Sequence, residues 1–158
     1  MVKPKRQTRR KAGTQSHGSS MAGQPSYRKN LRGVAVPKPI AVLLVDKHAA
    51  FRQPLAFLFQ REHHFTVVGQ AGSLAEAREK LNGVDLALID ENLPDGNGIE
   101  LIEALHAASP HSRVLLLTDR TNRPQSGSAL PNGAATILDK SASLNDLLGS
   151  ARRMEARE

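Results

Sequence analysis

The sequence predicts an α/β fold in which a parallel sheet is doubly wound, with helices on both faces. The first observation is that five short runs rich in Val, Ile, Leu and Ala recur from residue 40 onwards. The second is that the segments between these runs carry apolar residues at helical spacing. Strands that alternate with helices in this way are typical of βαβ units with right-handed crossovers. Because the runs are apolar throughout instead of alternating, we expect each strand to be buried on both faces.

Each strand is predicted from one apolar run. The runs are IAVLLV (40–45), FTVVG (65–69), VDLALI (84–89), RVLLL (113–117) and ATIL (135–138). Five strand–helix units fill residues 40–157, which is enough chain for one domain with its own core.

The helices are predicted from apolar residues spaced three or four apart. These residues are Phe51, Leu55, Leu58 and Phe59 in the first helix, Leu74, Ala77 and Leu81 in the second, Ile99, Leu101, Ile102 and Leu105 in the third, and Leu144, Leu147, Leu148 and Ala151 in the last. Ser73 and Ser143 are predicted N-caps, because a carboxylate follows each of them three residues later.

Two segments fit the helical pattern poorly. Pro54 falls inside the first predicted helix and is tolerated there only if the helix begins within about one turn of it. The segment 120–133 contains Pro124, Gly127 and Pro131. A helix in that segment is therefore predicted to be short, frayed or absent.

The first 38 residues differ in charge from the rest of the chain. They hold ten Lys and Arg side chains and no Asp or Glu, whereas residues 39–158 hold 12 basic and 15 acidic side chains. Because they also lack apolar periodicity, residues 1–38 are predicted to be a disordered basic arm, and residues 39–158 the folded domain. Two interpretations of the arm follow: a non-specific electrostatic contact with nucleic acid through counterion release, or a solvated tail without a specific partner.

The composition excludes several classes of site. The chain has no Cys, so it has neither disulfides nor thiolate metal sites. Its apolar runs are too short to cross a membrane. His48, His63 and His64 do not have the spacing of a defined metal site, and they are predicted to be surface or loop residues.

The predicted strands end in polar side chains. Asp46 follows the first strand, Asp90 the third, Thr118 the fourth and Lys140 the fifth. In a doubly wound sheet the functional groups lie at the carboxyl ends of the strands, near the point where the strand order reverses. A carboxylate can act as a nucleophile, while a hydroxyl and an ammonium can bind phosphoryl oxygens. These four residues therefore predict a site for an anionic phosphoryl group.

The loop after the third strand reads DENLPDGNG (90–98), in which Pro94 fixes one φ angle, and Gly96 and Gly98 permit left-handed turns. Residues 40–157 resemble a bacterial response-regulator receiver domain of the NarL/FixJ type. The matching segments are VLLVDKHAAFRQPL, VVGQAGSLAEA, LALIDENLPDGNGIELI, RVLLLT and GAATILDKSAS.

The resemblance implies a flavodoxin-like (βα)5 fold with strand order 2-1-3-4-5, and a cytoplasmic role in a bacterial two-component phosphorelay. It implies that Asp90 accepts a phosphoryl group from a histidine kinase, and that Asp46 belongs to the acidic pocket that helps to hold Mg²⁺. Thr118 and Lys140 would be the switch hydroxyl and the phosphoryl-binding lysine. The ligands of Mg²⁺, if the chain binds it, would come from Asp46, Asp90 and Asn92.

Three positions depart from the family pattern. Lys47 stands where the family has a second acidic residue, which is a direct Mg²⁺ ligand. An ammonium cannot ligate Mg²⁺ and repels it, so Lys47 argues against Mg²⁺ as a cofactor. Asp119 replaces a residue that is usually small, and Ile137 occupies the position of the aromatic switch residue.

Two interpretations of Lys47 follow. In the favoured one, Lys47 replaces the metal ligand and forms a permanent ion pair with Asp90 or Asp46, which makes the acidic cluster less repulsive. In the other, Lys47 extends into solvent and Asp90 still accepts phosphate weakly.

The leading functional prediction is a degenerate receiver module that is not an enzyme, lacks an output domain, and acts by protein–protein contact. Its partner would be a histidine kinase, another regulator or a second copy of the chain. The first alternative is an active single-domain response regulator that accepts a phosphoryl group on Asp90. The second is a nucleic-acid-associated protein that uses the basic arm, residues 1–38.

Overall fold

The computed structural model describes residues 27–119 and 135–155. The segment 120–133, where a short, frayed or absent helix was predicted, lies outside these ranges. The elements are β1 (Tyr27–Lys29), β2 (Ala35–Pro37), β3 (Ile40–Val45), α1 (Ala49–Arg61), β4 (Phe65–Ala71), α2 (Leu74–Arg78), β5 (Leu86–Asp90), β6 (Asn92–Leu93), β7 (Gly96–Asn97), α3 (Glu100–Ala108), β8 (Arg113–Thr118), β9 (Thr136–Asp139) and α4 (Leu144–Glu155).

The five predicted strands form one parallel sheet in the order β4-β3-β5-β8-β9. Numbered as the sequence predicted them, this is the order 2-1-3-4-5, so the doubly wound, flavodoxin-like prediction is confirmed. Strands β3 and β5 are neighbours at the point where the order reverses. Asp46 and Asp90 therefore leave the sheet side by side.

Alternate residues of the strands face two separate apolar layers. On one face, Leu43, Ile89 and Leu116 pack with α2 and α3. On the other face, Leu44 and Leu88 pack with α1 and α4. This burial on both faces is the physical reason that the strands are apolar throughout.

The predicted helix signals have mixed outcomes. Ser73 caps α2, because its Oγ accepts a hydrogen bond from the backbone N of Glu76 at 3.2 Å. Ser143 Oγ accepts from the backbone N of Asp146 at 3.1 Å. Pro54 lies in the sixth position of α1, beyond the first turn, on the solvent-exposed side of the helix. No helix in the described ranges is long and apolar enough to cross a membrane.

Two short antiparallel hairpins were not predicted. Strands β1 and β2 pair through Tyr27 with Pro37 and Lys29 with Ala35. This hairpin occupies the last third of the segment that was predicted to be a disordered arm. Strands β6 and β7 form a second hairpin within the loop after Asp90.

Candidate functional site

The carboxyl edge of the sheet, where β3, β5, β8 and β9 end, brings the four predicted site residues together. Asp46, Asp90 and Thr118 are 2%, 0% and 2% exposed, and the side chain of Lys140 is 8% exposed. The backbone N of Lys140 donates to the carbonyl oxygen of Thr118 at 2.9 Å. Four polar residues are therefore buried at one edge of the sheet, as the strand ends predicted.

The ammonium of Lys140 bridges both carboxylates. Its Nζ lies 2.6 Å from Asp46 Oδ2 and 3.3 Å from Asp90 Oδ2. The remaining oxygens accept backbone hydrogen bonds, Asp46 Oδ1 from the N of His48 at 2.7 Å and Asp90 Oδ1 from the N of Asn92 at 3.0 Å. Three of the four oxygens of the two buried carboxylates thus accept a hydrogen bond, whereas Asp46 Oδ2 has the Lys140 ammonium as an ion-pair partner but no hydrogen bond of normal geometry.

Burial and pairing act in opposite directions on these groups. Burial raises the pKa of Asp90, and the hydrogen bond from Asn92 and the charge of Lys140 only partly offset it. Burial would by itself lower the pKa of Lys140, but the hydrogen bond and charge of Asp46, with those of Asp90, outweigh it and raise that pKa. The lysine is therefore a firmly held cation beside a carboxylate whose ionisation is costly.

Two residues of α1 that the sequence assigned no functional role hold this cluster in place. Lys140 Nζ lies 4.7 Å from the centroid of the Phe51 ring, within the range of a cation–π contact. Arg52 donates from Nη1 to the carbonyl oxygen of Asp46 and from Nε to Gln70 Oε1 at 3.2 Å. In the sequence, Phe51 fits the apolar stripe of α1 and was predicted only as a core residue. Arg52 is a single basic residue and belongs to no recognisable motif.

The structure corrects the ion pair predicted for Lys47. Lys47 is exposed and makes no ion pair within the described ranges, whereas Lys140 pairs with both carboxylates. The hydrogen bond from the N of His48 to Asp46 Oδ1 closes a turn around Lys47, and a residue at such an apex points to solvent. Asp119 is also exposed. Ile137 lies in the core, 8% exposed.

The loop after Asp90 is fixed by a close approach and by a hydrogen-bonded carboxylate. Gly96 has φ +153°, as predicted for a left-handed position. At position 98 glycine is required for lack of space, since a Cβ there would lie 2.1 Å from the carbonyl oxygen of Asp90. Asp95 accepts hydrogen bonds from the backbone N of Leu74 at 2.8 Å and of Ala75 at 3.0 Å. The loop is therefore tied to the start of α2, a contact that the sequence analysis missed.

Asp46, His48 and Asp90 lie close enough together to hold a metal ion, with one ligand atom from each within 4.8 Å of the others. Receiver domains hold Mg²⁺ in an acidic pocket of this kind. The two carboxylates supply oxygen donors that suit Mg²⁺, but the imidazole of His48 suits other metals. The Lys140 ammonium already neutralises one of the two negative charges. The residues present therefore fit Mg²⁺ poorly.

The chain is similar to several known proteins. A family model described as the response regulator receiver domain matches residues 42–152. The DNA-binding transcriptional activator DevR/DosR of Mycobacterium tuberculosis is 40% identical over 103 residues, which cover 64% of this chain and 48% of that protein. The nitrate/nitrite response regulator NarL of Escherichia coli K12 is 29% identical over 123 residues, which cover 77% of this chain and 57% of that protein.

A solved structure shares the fold. The signal receiver domain of a NarL response regulator from Mycobacterium tuberculosis superposes with a TM-score of 0.61 at 22% identity, covering 77% of this chain and all of that domain. Against the curated relatives, this chain spans only about half of their length.

Proposed function

Because the chain belongs to the response regulator receiver domain family, we propose that it is a degenerate receiver module of a two-component system. In this proposal it acts by protein–protein contact, and Asp90 is phosphorylated weakly or not at all. Receiver domains are signalling modules and not classical enzymes.

The observation that carries the proposal is that a cation, Lys47, stands where the family has an acidic Mg²⁺ ligand, while Lys140 neutralises both Asp46 and Asp90, at 2.6 Å and 3.3 Å. In a phosphorylatable site the acceptor carboxylate must reach a phosphorus atom while cations neutralise the phosphoryl oxygens. Here the Asp90 oxygen nearest to Lys140 is already occupied, and the lysine is held by Asp46 as well. Phosphorylation would require Lys140 to exchange its contact with Asp46 for a phosphoryl oxygen, without a bound Mg²⁺ to assist it.

Lys47 weakens the binding of a metal ion in two ways. The family uses an acidic residue at this position as an Mg²⁺ ligand, and this chain places an exposed cation there instead. Near the pocket mouth, an ammonium lowers the local concentration of any divalent cation. We therefore propose that Mg²⁺ binds weakly, with Asp46, Asp90 and Asn92 as its candidate ligands, and that Mg²⁺-assisted transfer to Asp90 is correspondingly slow.

The test is Mg²⁺-dependent labelling of the full chain by acetyl phosphate, with Asp90→Asn as the negative control. We expect labelling far below one phosphoryl group per chain. Lys47→Asp should restore it if the remainder of the site is competent, whereas Lys47→Gln removes the positive charge without adding a ligand. Comparing these two variants separates lost ligation from charge repulsion. Stoichiometric labelling of the wild type at Asp90 would overturn the proposal.

One observation favours a second candidate, an active response regulator that accepts phosphate on Asp90. Lys47 extends away from the carboxylates and is exposed, so it does not occupy the place of an incoming phosphoryl group. In this candidate Lys140 would exchange Asp46 for a phosphoryl oxygen. Rapid labelling of the wild type that Lys47→Asp does not accelerate would support it.

Protein partners follow from the family. Receiver domains contact kinases and phosphotransfer proteins and form dimers. CheY6 of Rhodobacter sphaeroides, which is 27% identical to this chain, was solved in complex with the P1 domain of CheA3. We propose a phosphotransfer domain of this type as the partner. Binding that is equal for the wild type and Asp90→Asn is the result expected of a module that acts independently of phosphorylation.

A further inference from the structure

The β1–β2 hairpin (residues 27–37) stands at the end of the molecule opposite the carboxylate cluster. Every residue in it is exposed except Val36, which is half-buried. Each strand has only three residues, so the paired part is roughly 10 Å long. The hairpin therefore buries little surface, and it contributes little to the stability of the domain.

The turn of the hairpin has a fixed shape. Asn30 Oδ1 accepts hydrogen bonds from the backbone N of Arg32 and of Val34, each at 3.0 Å. The backbone N of Asn30 donates to the carbonyl oxygen of Val34, and Gly33 donates back to Asn30. Gly33 has φ +73°, a conformation that glycine adopts without strain. The tip is thus a preorganised loop whose residues are all exposed.

The tip presents an exposed apolar side chain among basic residues of the sequence. Leu31 is fully exposed, and Val34 is 55% exposed. Arg28, Lys29 and Arg32 are close to them in sequence and are also exposed, and residues 1–38 contain no acidic residue. Single exposed apolar residues are common on protein surfaces. An ordered turn that holds a leucine outermost on a purely basic ribbon is a more specific arrangement.

The cavity at the root of the hairpin is lined by basic and acidic side chains in equal number. It has a volume of about 330 Å³ and lies where Tyr27 and Lys38 meet His111, Arg113 and Met154. Asp85 and Glu155 also line it, and the Oδ2 of Asp85 accepts a hydrogen bond from the backbone N of Ala41 at 2.8 Å. Lys38 and Arg113 are matched in number by these two carboxylates, so the excess of positive charge at this end lies on the hairpin itself.

We propose that the β1–β2 hairpin binds double-stranded DNA, with Leu31 wedged between base pairs from the minor groove. Arg28, Lys29 and Arg32 would lie against the flanking phosphates. Charge complementarity favours this partner, since a basic ribbon without acidic residues matches a polyanion. Leucine is among the side chains that open base steps in this way, and such a wedge kinks the duplex. The contact is independent of Asp90 and of phosphorylation.

The first test measures affinity for a short labelled duplex by fluorescence anisotropy over a range of salt concentrations, using the full chain. For Lys29→Gln/Arg32→Gln we expect a salt dependence of log K that is less steep by about 1.8, since each lost phosphate contact removes about 0.9. The matched control is Arg78→Gln/Lys80→Gln, which removes two exposed cations on and just after α2. The control should retain the wild-type slope.

The second test measures duplex bending by energy transfer between dyes at its two ends. The wild type should bend the duplex by at least about 20°, and Leu31→Ser should abolish the bend. Val68→Ser, which alters an exposed apolar residue on β4, should leave the bend unchanged. Urea unfolding of each variant checks that the domain is intact.

Three outcomes would overturn the proposal. Equal salt slopes for the hairpin and control variants would exclude phosphate contacts by the hairpin. An unaltered bend in Leu31→Ser would exclude the wedge. Binding to anionic vesicles, or self-association in sedimentation, that is lost in Leu31→Ser while duplex binding is unchanged would assign the tip to a membrane or to a second copy of the chain.

Discussion

At the carboxyl edge of the sheet two carboxylates are buried under one ammonium, whereas at the amino edge the cations of the β1–β2 hairpin lie in solvent. Asp46 and Asp90 are at most 2% exposed and are bridged by Lys140 at 2.6 Å and 3.3 Å. Arg28 and Lys29 are exposed, and the sequence around them carries no opposite charge. Basic side chains are thus buried in an ion pair at one edge of the sheet and exposed to solvent at the other.

The difference determines what each edge can contribute. Charges interact strongly in a water-poor interior and weakly at an exposed surface. Substitutions at the carboxyl edge should therefore change the stability of the whole domain. Substitutions in the hairpin should leave stability unchanged and alter only contacts with other molecules.

The largest expected effect is that of Lys140→Met. It leaves Asp46 and Asp90 buried without their shared cation, and removing one partner from a buried charge pair costs about 3–5 kcal/mol. The measurement is the free energy of unfolding in urea. A cation should then take the place of the ammonium, so added Mg²⁺ should stabilise this variant more than the wild type.

The matched substitution at the amino edge is Arg113→Met. The side chain of Arg113 is only half-buried, so its loss should change the free energy of unfolding by less than about 0.5 kcal/mol. A loss below about 1 kcal/mol for Lys140→Met would show that the bridge contributes little and would remove the contrast between the edges.

The next effect compares two glycines. In Gly98→Ala the new Cβ would meet the carbonyl oxygen of Asp90 at 2.1 Å and Ile89 Cγ2 at 2.7 Å. The backbone beside the carboxylate cluster must move, and we expect a loss of about 3 kcal/mol in urea unfolding. Gly33→Ala lies in the hairpin turn with open space around it. It should strain the turn locally, because of its φ of +73°, and leave the unfolding midpoint within error of the wild type.

The fold was predictable because each strand of the parallel sheet is recognisable in the sequence. Burial on both faces demands continuous apolar runs, and IAVLLV (40–45) became β3 with the predicted bounds. The hairpin was missed because a polar segment was expected to remain disordered. Its signal was present in the β-prone residues on either side of Asn30 and Gly33, a pair typical of turns.

The positions of the site residues were predictable, but their contacts were not. Strand ends placed Asp46, Asp90, Thr118 and Lys140 at one edge, since parallel strands end together. Which lysine enters the pocket depends on the direction of the backbone after β3. The turn closed by the hydrogen bond from the N of His48 to Asp46 directs Lys47 outward, and no periodicity reveals a contact of that kind.

A smaller effect is expected from Asp90→Asn. Burial raises the pKa of Asp90 above its ordinary value of 3.8, so the folded state binds this proton more tightly than the unfolded state. The stability from this group is therefore full at low pH and is lost as the pH rises through the folded pKa. At neutral pH the variant should be more stable than the wild type, by on the order of 1 kcal/mol. The gain should vanish as the pH falls.

Asp95→Asn provides a control of opposite sign. Hydrogen bonds from the backbone N of Leu74 and of Ala75 lower the pKa of Asp95. Its stabilising contribution is present above the unfolded pKa and is lost as the pH falls through the folded pKa. This variant should be less stable than the wild type at neutral pH, and the two should converge in acid. The same sign for both variants would contradict the roles assigned to burial and hydrogen bonding.

The smallest effect concerns Asn30→Ala, which removes both hydrogen bonds that the side chain accepts in the hairpin turn. Since every residue of the turn is exposed, the free energy of unfolding should change by less than about 0.5 kcal/mol. Amide hydrogen exchange at Arg32 and Val34 should nevertheless become faster, because local opening no longer breaks those bonds.

The counterpart of Asn30 beside the parallel sheet is Asp85, an exposed residue whose Oδ2 accepts one hydrogen bond from the backbone N of the buried Ala41 at the start of β3. Asp85→Ala leaves that buried strand with an unpaired N–H, which costs about 1–3 kcal/mol. If Asn30→Ala destabilised the domain as much as Asp85→Ala does, the hairpin would have to be part of the cooperative fold. Its exposed leucine and cations would then no longer be free for a separate contact.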